Sequence, residues 1–211
     1  RPSVGNAASP IRYNTTITSA DVDSRASSAT DSIRQFGRYD TGRQRGQTQI
    51  GCPSEARRFA TFNSEATFNN AIDTVTARVT GGTYHDIGMI WGLRFMSRTG
   101  WFAADNPTER DGVPVNQHIV FMTDGRLDTG GTLYTSHGLE TYQTRTNGTG
   151  AQRDRHIARF DSACDLAKSM GITIWVIALD VTDTTDVAPC ATSDAHFFTS
   201  DEKMTARKFA G

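Results

Sequence analysis

The chain has 211 residues, of which 36% are hydrophobic, and a formal net charge of −1. This length and composition indicate one domain with a real core, and the balanced charge, without a basic stripe, argues against nucleic acid as a partner. No apolar run is long enough to span a membrane, and three cysteines, Cys52, Cys164 and Cys190, are too few and too scattered for a zinc site.

The first fifty residues are rich in Ser, Thr, Ala, Asp, Arg and Gly and show no helical periodicity. Residues 12–18 alternate weakly, as an edge strand would, and residues 21–34 allow a short helix. We interpret residues 1–50 as an irregular insertion or connecting segment and residues 51–211 as the main domain. The chain opens on Arg1 and Pro2 rather than Met, so we expect a piece of something longer.

Two helices are predicted next. The first follows a capping Asn63-Ser64 pair, and Gly81-Gly82 ends it after apolar positions at helical spacing, namely Phe68, Ile72, Val75 and Val79. After a polar loop at 83–86 with a capping residue, the second runs from about residue 86 to 96 and is apolar nearly all round, which predicts burial. Its glycines, Gly88 and Gly92, indicate close packing against a neighbour.

The run Ile119 to Met122 is short, apolar and rich in β-forming residues, which predicts a strand buried on both faces of a sheet. It stops at Thr123, Asp124 and Gly125. A carboxylate at the carboxyl end of a central parallel strand lies where open α/β sheets bind their ligands.

The rest of the chain alternates helix and strand. A long loop at 125–151 precedes a helix at about 153–170, a strong strand at 172–179, a short strand at 195–199 and a last helix from about 202 to 210, capped by Thr199 and Glu202. This order predicts an α/β fold with a doubly wound, mostly parallel sheet and helices on both faces.

Few residues in the sequence are candidates for catalysis or for metal binding. We find no phosphate-binding glycine loop, no serine elbow and no zinc-protease histidine pair. Cys164 lies in the apolar stripe of its helix, where it is expected to be inert or disulfide-bonded. Thr83 and Asp124 remain, and a hydroxyl with a carboxylate is an oxygen donor set that suits Mg²⁺ or Ca²⁺.

Three segments together resemble a von Willebrand factor A domain: Gly-Gly-Thr at 81–83, His-Ile-Val-Phe-Met-Thr-Asp-Gly at 118–125, and the helix-to-strand stretch at 163–179. Within that superfamily, residues 51–211 look most like the C-terminal part of TadG-type proteins of the bacterial Tad (Flp, tight adherence) pilus machinery. The stretch from Gly82 to Gly92 and the Cys190-Ala191-Thr192-Ser193 segment also carry this resemblance.

The resemblance implies a metal-ion-dependent adhesion site in which Thr83 and Asp124 belong to the second and third loops. The first loop, D-x-S-x-S, is not found in this chain, and the first strand and helix of the family are expected to be missing with it. Mg²⁺ or Ca²⁺ is therefore expected only if that loop is supplied from elsewhere. We expect the place beside the Ile119–Met122 strand to be filled by another chain or by a rearranged segment.

The resemblance also implies a function. We expect a non-enzymatic interaction or assembly module of the bacterial cell envelope, in the periplasm or at the cell surface, that helps to assemble or anchor a Tad pilus. Its partners would be pilus or envelope proteins, with no nucleic acid, and with the membrane reached only through an N-terminal anchor outside these residues. The alternative is a metal-dependent adhesion module that binds an acidic ligand through Mg²⁺ or Ca²⁺.

The cysteines give a separate expectation. Cys164 precedes the end of its helix by about two turns, and the loop after the next strand is long enough to bring Cys190 back to it. We predict a Cys164–Cys190 disulfide with Cys52 left over, which an oxidising compartment would permit. The alternative is that Cys164 is a small core hydrophobe and Cys190 a buried loop thiol.

Overall fold

The computed structural model describes residues 14–23, 54–78, 82–124, 126–130, 133–135, 138–139, 146 and 148–200. Its helices are α1 (Ser19–Asp23), α2 (Glu65–Thr76), α3 (His85–Met96) and α4 (Gln152–Ser169). Its strands are β1 (Glu109–Arg110), β2 (Val113–Pro114), β3 (His118–Thr123), β4 (Tyr134–Thr135), β5 (Gly138–Leu139), β6 (Thr173–Leu179) and β7 (Phe197–Ser200). Short 3-10 turns cover Ala103–Asp105, Ala188–Cys190 and Asp194–His196.

A parallel sheet of three strands in the order β3-β6-β7 organises the described residues. Ile119 pairs with Ile174 across β3 and β6, and Val176 pairs with Phe197 across β6 and β7. The remaining strands form two antiparallel hairpins, β1 with β2 and β4 with β5. The helix α4 connects the parallel strands β3 and β6, and a parallel sheet flanked by helices defines an α/β fold.

The core lies between α3, α4 and one face of the sheet. On β6 the side chains that point into it are Ile174, Val176 and Ala178, which are fully buried because alternate residues of a strand share a face. Leu93 of α3 and Phe160 of α4 meet them. The predicted stripe of α4 is confirmed at Phe160, Cys164 and Ala167, all buried.

On the opposite face of the sheet, Ile177 of the central strand β6 is buried, but the outer strands β3 and β7 carry exposed apolar side chains. Val120 and Met122 of β3 are 60% and 57% exposed, and Phe198 of β7 is also exposed. The prediction that the Ile119–Met122 strand is buried on both faces is therefore wrong. An apolar run indicates only that a strand is able to be buried on both faces. In the described part of the chain, α3 and α4 cover just one side of β3 and β6.

Ser64 caps α2 as predicted, since its hydroxyl oxygen accepts a hydrogen bond from the Thr67 N–H at 3.3 Å. The helices at 65–76, 85–96 and 152–169 and the strand at 173–179 agree with the sequence prediction to within a few residues. Close packing at Gly88 is not observed, because that position faces open space, while Gly92 lies against Ile119 of β3 at ordinary contact distance.

Residues 14–18 form no strand, contrary to the prediction, and a five-residue helix, α1, follows them. Ile17 and Val22 are nevertheless buried in the core, so this part of the N-terminal segment is packed against the domain. Cys52 and the last predicted helix, at 202–210, lie outside the described residues. No helix in the described ranges is long and apolar enough to cross a membrane.

Cys164 and Cys190, the pair expected from the sequence, are joined by a disulfide with a Cα–Cα distance of 5.2 Å. The bond attaches α4 to the turn at Ala188–Cys190. It closes a loop with a sequence separation of 26, which in the chain-entropy description stabilises the fold by roughly 3 kcal/mol.

Candidate functional site

The carboxyl ends of β3 and β6 lie side by side at one edge of the sheet, because Thr123 pairs with Ala178 in the parallel register. Asp124 follows β3 and is exposed. Asp180 follows β6 and has a φ of 52°, in the left-handed region, where the chain turns sharply away from the strand. Ligands of open parallel sheets bind at this kind of edge.

Thr83 is attached to the segment that follows β3. Its N–H donates to the Asp128 carbonyl oxygen, and the Asp128 N–H donates to the Thr83 carbonyl oxygen, both at 2.9 Å. A Cβ on Gly82 would lie 2.5 Å from the Asp128 carbonyl oxygen and from a Leu133 methyl carbon. The second glycine of the Gly-Gly-Thr motif thus allows two backbone segments to approach closely.

His85 fixes the start of α3 to the end of β3. Its Nε2 lies 3.1 Å from the Thr123 hydroxyl, and its ring packs against the rings of Phe121 and Phe160 at centroid distances of 5.3 and 5.4 Å. Burial lowers the pKa of His85 from its ordinary value of 6.5, against a smaller opposite effect of the Asp86 carboxylate. His85 is therefore the neutral imidazole at pH 7.

The two predicted metal ligands, Thr83 and Asp124, belong to loops that lie next to each other at this edge. A hydroxyl and a carboxylate are oxygen donors of the kind that Mg²⁺ or Ca²⁺ takes, with water molecules able to complete the shell. In the ranges that the structure describes, no three His, Cys, Asp or Glu side chains are grouped as a metal site. Thr83 and Asp124 supply two of the ligand residues of the adhesion site that the resemblance implies, and its D-x-S-x-S loop is not found in the sequence.

A buried polar network lies directly behind this edge. The Asp86 carboxylate oxygen Oδ2 accepts a hydrogen bond from Arg159 Nε at 2.9 Å. The same oxygen lies 2.9 Å from His156 Nδ1. All three side chains are at most 1% exposed. Arg159 also donates to the Asn14 carbonyl oxygen at 2.6 Å, which attaches the N-terminal segment to α4.

Tyr84 extends the network to the loop after β3. Its ring meets the His156 ring edge to face at 4.9 Å, and its hydroxyl donates to the Gly130 carbonyl oxygen at 3.3 Å. Gln152 Nε2 donates to the same hydroxyl at 3.3 Å. The loop that carries Thr83 is thus attached to α4 and to residues 128–130 by several independent contacts.

The sequence pattern does not predict this network, because residues 83–86 have the composition of a polar loop. In the structure α3 begins at His85, Tyr84 gives no side-chain cap, and Asp86 is buried instead of capping the helix. The spacing of His156 and Arg159, three residues apart and next to the buried Phe160, places both on the inner face of α4 and was the available signal.

Two ion pairs lie around the edge: Arg153 of α4 pairs with Asp186, and Arg126 pairs with Asp183. Asp183 also accepts hydrogen bonds from the Thr185 hydroxyl and N–H, and these lower the pKa of the Asp183 carboxyl. The Arg126–Asp183 pair joins solvent-exposed side chains, and a pair of this kind contributes little to the free energy of unfolding.

No family model, curated protein or solved structure matches this chain.

Proposed function

We propose that this chain is a non-enzymatic interaction module of the bacterial cell envelope, TadG-like, which helps to assemble or anchor a Tad pilus. One observation carries the proposal. Gly82-Thr83 and Thr123-Asp124, from the two motifs that resemble the family, lie in segments joined at the carboxyl edge of a parallel sheet by the Thr83–Asp128 backbone pairing and the His85–Thr123 contact. A von Willebrand A-like domain places its binding loops at such an edge.

The disulfide supports the proposed location. A Cys164–Cys190 bond is stable in the periplasm or at the cell surface, whereas the cytosol keeps thiols reduced. Both cysteines are buried, so the bond belongs to the folded core and not to an exposed redox switch.

The chemistry of the edge supports binding over turnover. The one close hydroxyl–imidazole pair described at this edge, Thr123 with His85, is buried beneath aromatic rings and connects α3 to β3. Asp124 is exposed at the same edge and available to a partner. Exposed apolar side chains nearby on β3 are also typical of protein-binding surfaces.

In-cell crosslinking tests the proposal. A photo-crosslinking amino acid is placed at Asp124, and at Asp165 on the exposed side of α4 as the matched control, in the bacterium that encodes the chain. We expect position 124 to capture a pilus or envelope protein that position 165 does not. Capture of the same proteins at both positions, or of cytosolic proteins only, would contradict the proposal.

The second candidate is a metal-dependent adhesion module, which the common edge of Thr83 and Asp124 favours. With two ligand residues, these 211 residues are expected to bind Mg²⁺ weakly or not at all by calorimetry. Tight one-to-one binding that is lost in Asp124→Asn and kept in Asp165→Asn would favour the adhesion module instead.

A further inference from the structure

Residues 14–23 form a short segment, ending in α1, whose backbone is bound by side chains of α3 and α4. Three hydrogen bonds make this attachment: from Arg159 Nη1 to the Asn14 carbonyl oxygen at 2.6 Å, from Arg94 Nη2 to the Asp21 carbonyl oxygen at 3.1 Å, and from the Ile17 N–H to the Ser162 hydroxyl at 2.8 Å. In peptide recognition, hydrogen bonds to the main chain give affinity and pockets for side chains give specificity. The described strand pairings do not include the segment, so its release would leave the β3-β6-β7 sheet paired.

Two apolar side chains and one carboxylate anchor the segment. Ile17 and Val22 are 4% and 0% exposed and belong to the core cluster that includes residues of α3 and α4. Asp23, at the end of α1, accepts hydrogen bonds from the hydroxyl groups of Ser97 and Thr99, which lie just after α3. We call the surface that holds the segment the α3–α4 surface; its polar residues are Arg94, Ser97, Thr99, Arg159 and Ser162.

Contacts within the segment hold its shape. The Thr18 N–H and hydroxyl both donate to one Asp21 carboxylate oxygen at 2.9 Å, and the Asp21 N–H donates to the Thr18 carbonyl oxygen at 3.0 Å. This is the pattern of a capped helix start, and it uses only residues of the segment. A segment that is shaped by its own contacts loses less conformational freedom when it binds, which favours binding as a separate peptide.

We propose that the α3–α4 surface is a peptide-docking site, that residues 14–23 occupy it as a ligand carried on the same chain, and that a free peptide with the same anchors exchanges with them. The ligand class is a peptide with two apolar residues five positions apart and an aspartate directly after the second. Residues 24–53 connect the segment to the next described residue, and a covalent connection gives it a high effective concentration at the site. A free peptide therefore competes poorly in the intact chain. This proposal is independent of the pilus function.

Fluorescence anisotropy with a labelled peptide of residues 14–23 tests the site on the full chain. Val22→Asp places a carboxylate where the side chain is 0% exposed, so the segment of this variant is expected to leave the site. We expect the Val22→Asp chain to bind the wild-type peptide at least about tenfold more tightly than the wild-type chain does. The matched control is Ala20→Asp, which adds the same charge at an exposed position of α1 and is expected to bind the peptide no more tightly than wild type. A peptide that itself carries Val22→Asp is expected not to bind.

Hydrogen exchange of the wild-type chain tests the release of the segment without a substitution. If the segment leaves the α3–α4 surface while the domain stays folded, its amides, among them the Ile17 N–H, exchange through a local opening. We expect their protection to be at least about tenfold lower than that of the α4 amides around Phe160, which is fully buried. Equal protection would overturn the proposal, because the segment would then open only when the whole domain unfolds. Failure of the Val22→Asp chain to bind the peptide, or equal binding by the Val22→Asp and Ala20→Asp chains, would also overturn it.

Discussion

Asp86 is the residue that joins α3 to α4 through polar contacts. Its carboxylate compensates the buried Arg159 guanidinium and holds His156, in surroundings from which water is excluded. Removing one partner of a buried ion pair leaves an unbalanced charge, which costs more than the pair itself contributes. The network therefore specifies how the two helices meet.

Asp86→Asn is expected to lower the free energy of unfolding by about 3–5 kcal/mol, because the Arg159 charge stays buried without its counter-charge. Asp165→Asn, on the exposed side of α4, is expected to change it by less than about 0.5 kcal/mol. Urea denaturation followed by circular dichroism measures both. Equal effects of the two substitutions would show that the network is not a stabilising element.

Because the pKa of His85 is lowered in the folded chain, we expect the free energy of unfolding to depend on pH. Well above pH 6.5 His85 is neutral in both states and contributes no pH dependence; as the pH falls through 6.5 the unfolded chain takes up a proton that the folded chain, with its lowered pKa, does not. Stability should therefore fall from pH 6.5 down to the folded pKa. His85→Gln is expected to reduce this slope and His118→Gln, at an exposed position, to keep it. An unchanged slope in His85→Gln would contradict the assignment.

At the scale of elements, the patterns that are local to a helix or strand were readable from the sequence. The apolar spacing of α2 and α4, the Ser64 cap and the β-branched run of β6 each depend on near neighbours along the chain. The open face of β3 and the burial of Asp86 were not readable, because both depend on which distant element packs there. Of the candidate site, the sequence indicated Thr83 and Asp124 but not the Asp128 and His85 contacts that position their loops.

Gly82 and Gly88 differ in their surroundings. Gly82 allows two backbone segments to approach closely, whereas Gly88 faces open space and only lowers the helix propensity of α3. Gly82→Ala would place a Cβ against the Asp128 carbonyl oxygen, so we expect a loss of about 1–3 kcal/mol in unfolding free energy. Gly88→Ala, on the open side of α3, is expected to gain up to about 1 kcal/mol. Thermal denaturation compares the two, and a stabilising Gly82→Ala would show that the Thr83–Asp128 bridge is not as close as described.

The disulfide belongs to the same scale, since it joins α4 to the turn before β7. Replacing Cys164 and Cys190 by Ala is expected to lower the unfolding free energy by about 2–4 kcal/mol. The comparison is between oxidised wild type and the double variant, with reduced wild type as the control that should match the variant. If the double variant is as stable as the oxidised wild type, the disulfide does not contribute to the free energy of unfolding.

At the scale of the whole molecule, one face of the sheet is packed and the other is open at β3, beside an edge that carries an exposed aspartate. Parallel sheets are normally covered on both faces. In the part of the chain that the structure describes, an incomplete layer of this kind agrees with the proposed role in assembly.

The amount of pilin sheared from the cell surface tests this assignment most directly. Residues 51–211 are deleted from the chromosomal gene of the bacterium that the proposed function implies. A second culture of the deletion strain carries a wild-type copy of this segment. The proposed function predicts that surface pilin is lost in the deletion strain while total pilin remains in the cells, and that the returned segment restores it. Unchanged surface pilin in the deletion strain would contradict the proposal.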